Sequence, residues 1–98
     1  MPNPSRVRYN KKADAYVITT RSKAGLKPTW YDVSFIPGGI PEGYVVKLHY
    51  DLFYQYHTFL YTAGHAADRA FARPVGKSLT LQEAIEDVRA AWHKGWNV

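Results

Sequence analysis

Apolar and polar positions alternate with a period of two near the start of the chain. Val7 and Tyr9 fall on one side, and Arg6, Arg8 and Asn10 on the other. That alternation predicts a half-buried strand. Residues 11–14 are polar, and residues 15–21 are β-rich again, with Tyr16, Ile18 and Thr20 on one face. Two such runs joined by four or five residues predict a hairpin. Residues 22–29 contain Gly25 and Pro28 and read as a loop. Residues 30–36 alternate once more. There Tyr31, Val33 and Phe35 are expected to face a core, and Asp32 and Ser34 to face water. Residues 37–43 hold two prolines and three glycines, which predicts a turn rather than a regular element.

Residues 44–62 fit two periods. As a helix they show a polar stripe at Lys47, Asp51, Gln55, Thr58 and Thr62. As a strand they place Val46, Leu48, Tyr50, Leu52, Tyr54 and Tyr56 on one face. Lys47, His49, Asp51, Gln55 and His57 then fall on the other, with Phe53 the exception. The strand reading is preferred, because β-branched and aromatic residues dominate and the helix reading puts Tyr54 inside its polar stripe. A strand usually runs about five or six residues. A bend or break near residues 51–53 is therefore expected, giving one long bent strand or two. In residues 63–77, punctuated by Gly64 and Pro74, an edge strand over 69–75 and a helical turn over 66–72 are equally open.

The last element is the clearest. Thr80-Leu81-Gln82-Glu83 has the form of a capping box. Leu81, Ala84, Ile85, Val88, Ala91 and Trp92 then make one helical stripe. Acids lead and cations follow, and Gly95 marks the stop. The pattern predicts a single α+β domain: an antiparallel sheet of four or five strands, with one C-terminal helix packed on one face. The other face is left to solvent or to a partner.

Charge changes this picture more than composition does. The net charge is +5, and its excess lies wholly in residues 1–27. There Arg6, Arg8, Lys11, Lys12, Arg21, Lys23 and Lys27 stand against Asp14 alone. Arg6 and Arg8 are expected on one sheet face, Lys11 and Lys12 on the turn, and the other three on the following loop. Clustered cations attract polyanions, and phosphate contacts supply most of the sequence-independent affinity for nucleic acid. These seven are the candidate nucleic-acid-binding residues. A solvated basic end, or contact with an acidic protein, would use the same charges.

Other features mainly exclude. There is no cysteine, so disulfides, thiolate nucleophiles and cysteine zinc sites are ruled out. The opening Met-Pro-Asn-Pro-Ser has no apolar core of a signal peptide, and residues 44–61 carry too many polar groups to span a bilayer. A cytoplasmic location without membrane contact is expected. Gly38-Gly39 lacks the Lys-Ser/Thr of a phosphate loop. His49 and Asp51 share a face, but on a continuous strand His57 would lie about 26 Å from His49. Metal ligands converge to about 2 Å of one ion. Only a tight turn at Asp51 would unite these groups, so no metal or cofactor is expected.

Three function classes follow. The first is a small non-catalytic binding protein that engages nucleic acid or a nucleic-acid-handling machine. Small size and basic charge of this kind are also common in phage and mobile-element accessory proteins and inhibitors. The second is a metal-independent ribonuclease or toxin-like enzyme using His49 or His57. The third is an oligomeric adaptor that uses Trp30, Phe53 and Trp96 as partner-binding anchors. Residues Lys47, His49, Asp51, Phe53, Gln55, His57, Phe59 and Tyr61 would either stack bases on an open sheet face or be covered by residues 63–77, with Phe53 and Phe59 in a second core. The order of strands and helix resembles the second half of a double-stranded-RNA-binding domain. That family opens its last helix with lysines, whereas this helix opens with Thr80, Gln82 and Glu83, so no family is assigned.

Overall fold

The computed structural model describes residues 5–20, 28–49 and 51–97. Six strands occur in chain order: β1 (Ser5–Asn10), β2 (Ala15–Thr20), β3 (Thr29–Ser34), β4 (Gly43–Lys47), β5 (Tyr56–Leu60) and β6 (Arg73–Ser78). They form one sheet in the order β1-β2-β3-β4-β5-β6, each antiparallel to its neighbour. One helix, α1 (Leu81–His93), follows and packs mainly on β4, β5 and β6. The α+β class and the C-terminal helix agree with the sequence pattern. The strand count is six, not four or five.

The expected break in residues 44–62 and a strand in the open segment 63–77 together give the count of six. Residues 44–62 break in two, because Asp51 Oδ1 accepts from the backbone N–H groups of Phe53 and Tyr54 at 3.0 and 2.9 Å. This side-chain turn reverses the chain between β4 and β5, in competition with a continuous ladder. Residues 63–77 then supply both elements that were left open. A 3-10 turn at Arg69–Phe71 is capped by Asp68, which accepts from Ala70 N–H at 3.0 Å. The β6 strand begins two residues later. Pro74 fits there because β6 is an edge strand with a free outer side.

The register shows which residues share a face. Arg8, Val17, Val33, Gly43 and Leu60 form one row across the sheet. Val7, Ile18, Asp32, Tyr44 and Phe59 form the adjacent row, on the opposite face. Under α1 the core joins Ala15, Val17, Val33, Val45 and Leu60 to Ala84, Ile85, Val88 and Ala91, with Tyr31, Phe35, Tyr56, Leu81 and Trp92 at its margin. Burying each large apolar side chain contributes about 1.5–3 kcal/mol. The packing around β4 is so close that a Cβ on Gly43 would meet Phe59 O of β5 at 2.6 Å and Val88 Cγ1 of α1 at 2.8 Å. Glycine is required there by contact rather than by backbone dihedral.

Both helix ends are closed where the sequence suggests, the first by the Thr80 half of the capping box alone. Thr80 Oγ1 accepts from Glu83 N–H at 3.2 Å. At the far end Gly95 has φ +76°, Gly95 N–H donates to Trp92 O, and Trp96 N–H donates to Ala91 O. This is the left-handed reversal that terminates helices and satisfies their last carbonyls. No helix among the described residues is long and apolar enough to cross a membrane.

The face away from α1 is not left open over β3–β5. Tyr44, Val46 and Tyr61 form a second buried cluster, flanked by Trp30, Leu48, Phe59 and Ala72. Arg69 lies over it, 4.1 Å from the Trp30 ring centre and 5.2 Å from that of Tyr44, with Nη2 3.4 Å from Asp32. Asp32 and Ser34 therefore do not face water as the alternation suggests. Ser34 is buried and donates to Ile36 O at 2.8 Å. Asp32 also accepts from Tyr61 Oη at 3.0 Å. Burial first, and the Asp32 carboxylate second, push the Tyr61 phenol well above its ordinary pKa.

Candidate functional site

The β1 strand is the edge of the sheet, and α1 does not cover it. Because Arg8 pairs with Val17, the side of β1 that carries Arg6, Arg8 and Asn10 is the helix side of the sheet. Val7 and Tyr9 point the other way and are exposed. The consequence is an open groove of about 920 Å³ between the hairpin and the first two turns of α1. Its floor holds Val17, Thr19, Tyr31, Leu81 and Ile85, and its rim holds Arg6, Arg8 and Asn10.

One end of the groove is fixed by a pair of carboxamides. Asn10 Nδ2 donates to Gln82 Oε1 at 2.7 Å, and Gln82 Nε2 donates to Asn10 Oδ1 at 3.2 Å. The same Asn10 oxygen accepts from Ala13 N–H at 2.9 Å, which ties the β1–β2 turn to the helix. Arg89 strengthens that tie. Its Nε donates to Ala13 O at 2.9 Å, its Nη2 donates to Asp14 O, and its guanidinium lies 4.1 Å from the Phe35 ring centre. The turn is thus held against α1 at Gln82 and Arg89, while the far end of the hairpin extends past the helix.

The charges divide in the same way. Several acids of the folded body have partners of their own. Asp32 binds Arg69 and Tyr61. Glu42 accepts from Phe35 N–H at 2.9 Å. Asp87 accepts from Ser78 Oγ at 2.8 Å. Asp14 lies 3.7 Å from Arg89. Lys12 lies 3.9 Å from Glu86, a distant and solvated pair. Among the described residues, Arg6, Arg8 and Lys11 have no ion pair. Arg21, Lys23 and Lys27 lie outside the described residues.

The remaining sequence candidates separate from this groove. Trp30 is half-buried beneath Arg69 and beside Tyr44, on the opposite sheet face. Phe53 is 74% exposed on the β4–β5 loop, so it does not join Phe59 in the second core. Trp96 is 47% exposed beyond the helix stop, with Lys94 Nζ 5.5 Å from its ring centre.

The expected odd face of residues 44–62 does not exist as a unit. Lys47 lies on the helix side with Val45, and Phe59 and Tyr61 lie on the far side. The turn at Asp51 does bring His57 back, with Nε2 3.2 Å from Asp51 Oδ2. His49 lies on the same loop, exposed. The Asp51 carboxyl is held below the ordinary carboxylate range, chiefly by the Phe53 N–H and then by Tyr54 N–H and His57. A carboxylate committed to two backbone donors and an imidazole shapes a loop.

Comparison with known protein families, curated proteins and solved structures finds no match. The site is therefore read from its chemistry alone. Sequence reasoning reached Arg6 and Arg8 through charge, and missed Thr19, Tyr31, Leu81, Ile85 and Gln82. The alternation does put Thr19 on the Val17 side. What the sequence lacks is the lateral offset of α1, which turns that side from core into groove.

Proposed function

We propose that this protein is a non-catalytic binding module that engages nucleic acid, or a nucleic-acid-handling assembly, through the basic β1–β2 hairpin and the groove beside it. The observation that carries the reading is the pairing of Arg6 and Arg8 on one side of an edge strand, over an open groove, with neither in an ion pair among the described residues. Guanidinium groups bind phosphate oxygens in a fork, with two parallel N–H donors. Lys11 and Lys12, exposed on the adjoining turn, extend the positive surface along the same edge.

Fluorescence anisotropy with short labelled DNA and RNA across a salt series tests the reading. The logarithm of affinity is expected to fall linearly with the logarithm of salt concentration, as bound counterions are released. The Arg6→Ala/Arg8→Ala variant should lower that slope by about 2, close to 1 for each lost phosphate contact. Affinity that is flat across salt, or no binding at low salt, overturns the proposal.

A further inference from the structure

We infer that the groove takes an unpaired base, so that the preferred ligand is single-stranded rather than duplex nucleic acid. This rests on the nucleic-acid reading above and assigns the strand state that the same site recognises. Arg6 and Arg8 stand two residues apart on one strand, with Cα atoms about 6.6 Å apart. Two successive phosphates of an extended strand can match that spacing. Between those cations and α1 the groove is uncharged: Thr19, Tyr31 and Leu81 offer an apolar and aromatic floor. Asn10 lines the groove and is held there by its carboxamide pair with Gln82. Each amide spends one N–H on the other and keeps a second N–H for a further acceptor.

This sequence of chemistries matches one nucleotide from outside inward. Phosphate meets guanidinium, the base ring meets the floor, and the base edge meets carboxamides. A duplex would hide its bases and touch only the rim, leaving the floor unused. Single-strand binders gain affinity by stacking bases on aromatic side chains beside a cationic track. An acidic peptide would satisfy Arg6 and Arg8, but it has no flat ring with a hydrogen-bonding edge to fill the space behind them.

The decisive measurement uses the wild-type protein and equal-length probes at one low salt concentration. The probes are a mixed-sequence DNA strand, its duplex, an abasic deoxyribose-phosphate strand, and an acidic peptide. The single strand is expected to bind at least roughly tenfold tighter than the abasic strand or the duplex, the gain that one stacked base supplies. Thr19→Leu, which fills the groove floor without adding a ring, should bring the ratio of strand to abasic affinity close to one. Circular dichroism on that variant establishes that it is folded, and the abasic comparison needs no variant at all. Equal affinity for the intact strand, abasic strand and duplex overturns the inference and leaves the phosphate-contact reading standing. Tighter binding of the acidic peptide than of any nucleic acid overturns both, as does no binding to any probe.

Discussion

Over β4, β5 and β6 the helix side of the sheet is closed by Val88, Ile85 and Ala91, with a fit tight enough to demand glycine at position 43. Three strands away, over β1, the same side is open and edged by Arg6 and Arg8. The two regions share a sheet, a register and a pleat. They differ only in whether α1 lies above them. Where it does, the covered positions Gly43, Val45, Thr58 and Leu60 are small or apolar. Where it does not, the same alternation carries cations. An inward-pointing position on this sheet is therefore core or binding surface according to the footprint of one helix, and the two regions should respond to mutation in opposite ways.

Reversing the rim charges sharpens that contrast most. Arg6→Glu/Arg8→Glu should lower affinity for single-stranded DNA on the order of a hundredfold at low salt, since two attractions become two repulsions. Stability should change by less than about 0.5 kcal/mol, because exposed substitutions away from packing and caps have small effects. Parallel anisotropy and urea melts check both halves. A fall in the urea midpoint comparable with that of a core variant would mean that the hairpin arginines hold the fold together.

Gly43→Ala probes the closed region. The new Cβ would sit against Phe59 O and Val88 Cγ1, and overpacking of this kind costs about 1–3 kcal/mol. The loss should appear as a lower denaturation midpoint, with the salt slope of binding unchanged. A stable Gly43→Ala protein would show that the β5 backbone at Phe59 and the Val88 side chain can both give way, and that the closed region is softer than its packing indicates.

On the far face, Arg69 is the test residue. Its stacking on Trp30 and Tyr44 is worth about 1–2 kcal/mol in a partly desolvated setting. Arg69→Ala should lower stability by about that amount and shift the tryptophan emission to the red. The same cluster predicts alkaline sensitivity. The Tyr61 phenol is raised above its ordinary value, so the folded state holds that proton more tightly than the unfolded chain. Its contribution is full below the unfolded value near 10 and is lost as pH climbs above it. Tyr61→Phe should flatten this alkaline decline in a urea melt series. An unaltered decline would place its origin elsewhere.

How much of this the sequence carries depends on how local the cause is. The α1 caps at Thr80 and Gly95, the β1–β2 hairpin, and the core side of residues 31–35 at Tyr31, Val33 and Phe35 follow from short-range spacing, and each lies where expected. Asp32 and Ser34 mislead, because their alternation says water while Tyr61 and Arg69 engage Asp32 and the turn at Ile36 and Gly39 accepts from Ser34. The break at Asp51 is half legible. The length of the segment announces it, but the side-chain turn that makes it depends on the two N–H groups Asp51 finds. The groove is least legible of all, since Thr19 and Leu81 lie 62 positions apart and meet only through the tertiary placement of α1.

The smallest expected effect comes from the centre of the closed region, and it has the opposite sign. Thr58 is fully buried on β5, and its hydroxyl has no hydrogen-bond partner among the described residues. A buried polar group without a partner costs about 1–3 kcal/mol. Valine has nearly the same shape, and both residues favour strands through the same branching at Cβ. Thr58→Val should therefore stabilise the protein by about 1 kcal/mol, seen as a higher thermal midpoint, with the affinity for single-stranded DNA unaltered. The corresponding change in the open region, Thr19→Val, should move the thermal midpoint far less, because Thr19 lies on the groove floor beside solvent. If Thr58→Val instead destabilises, the hydroxyl must be satisfied under α1, and the closed core is wetter than its packing indicates.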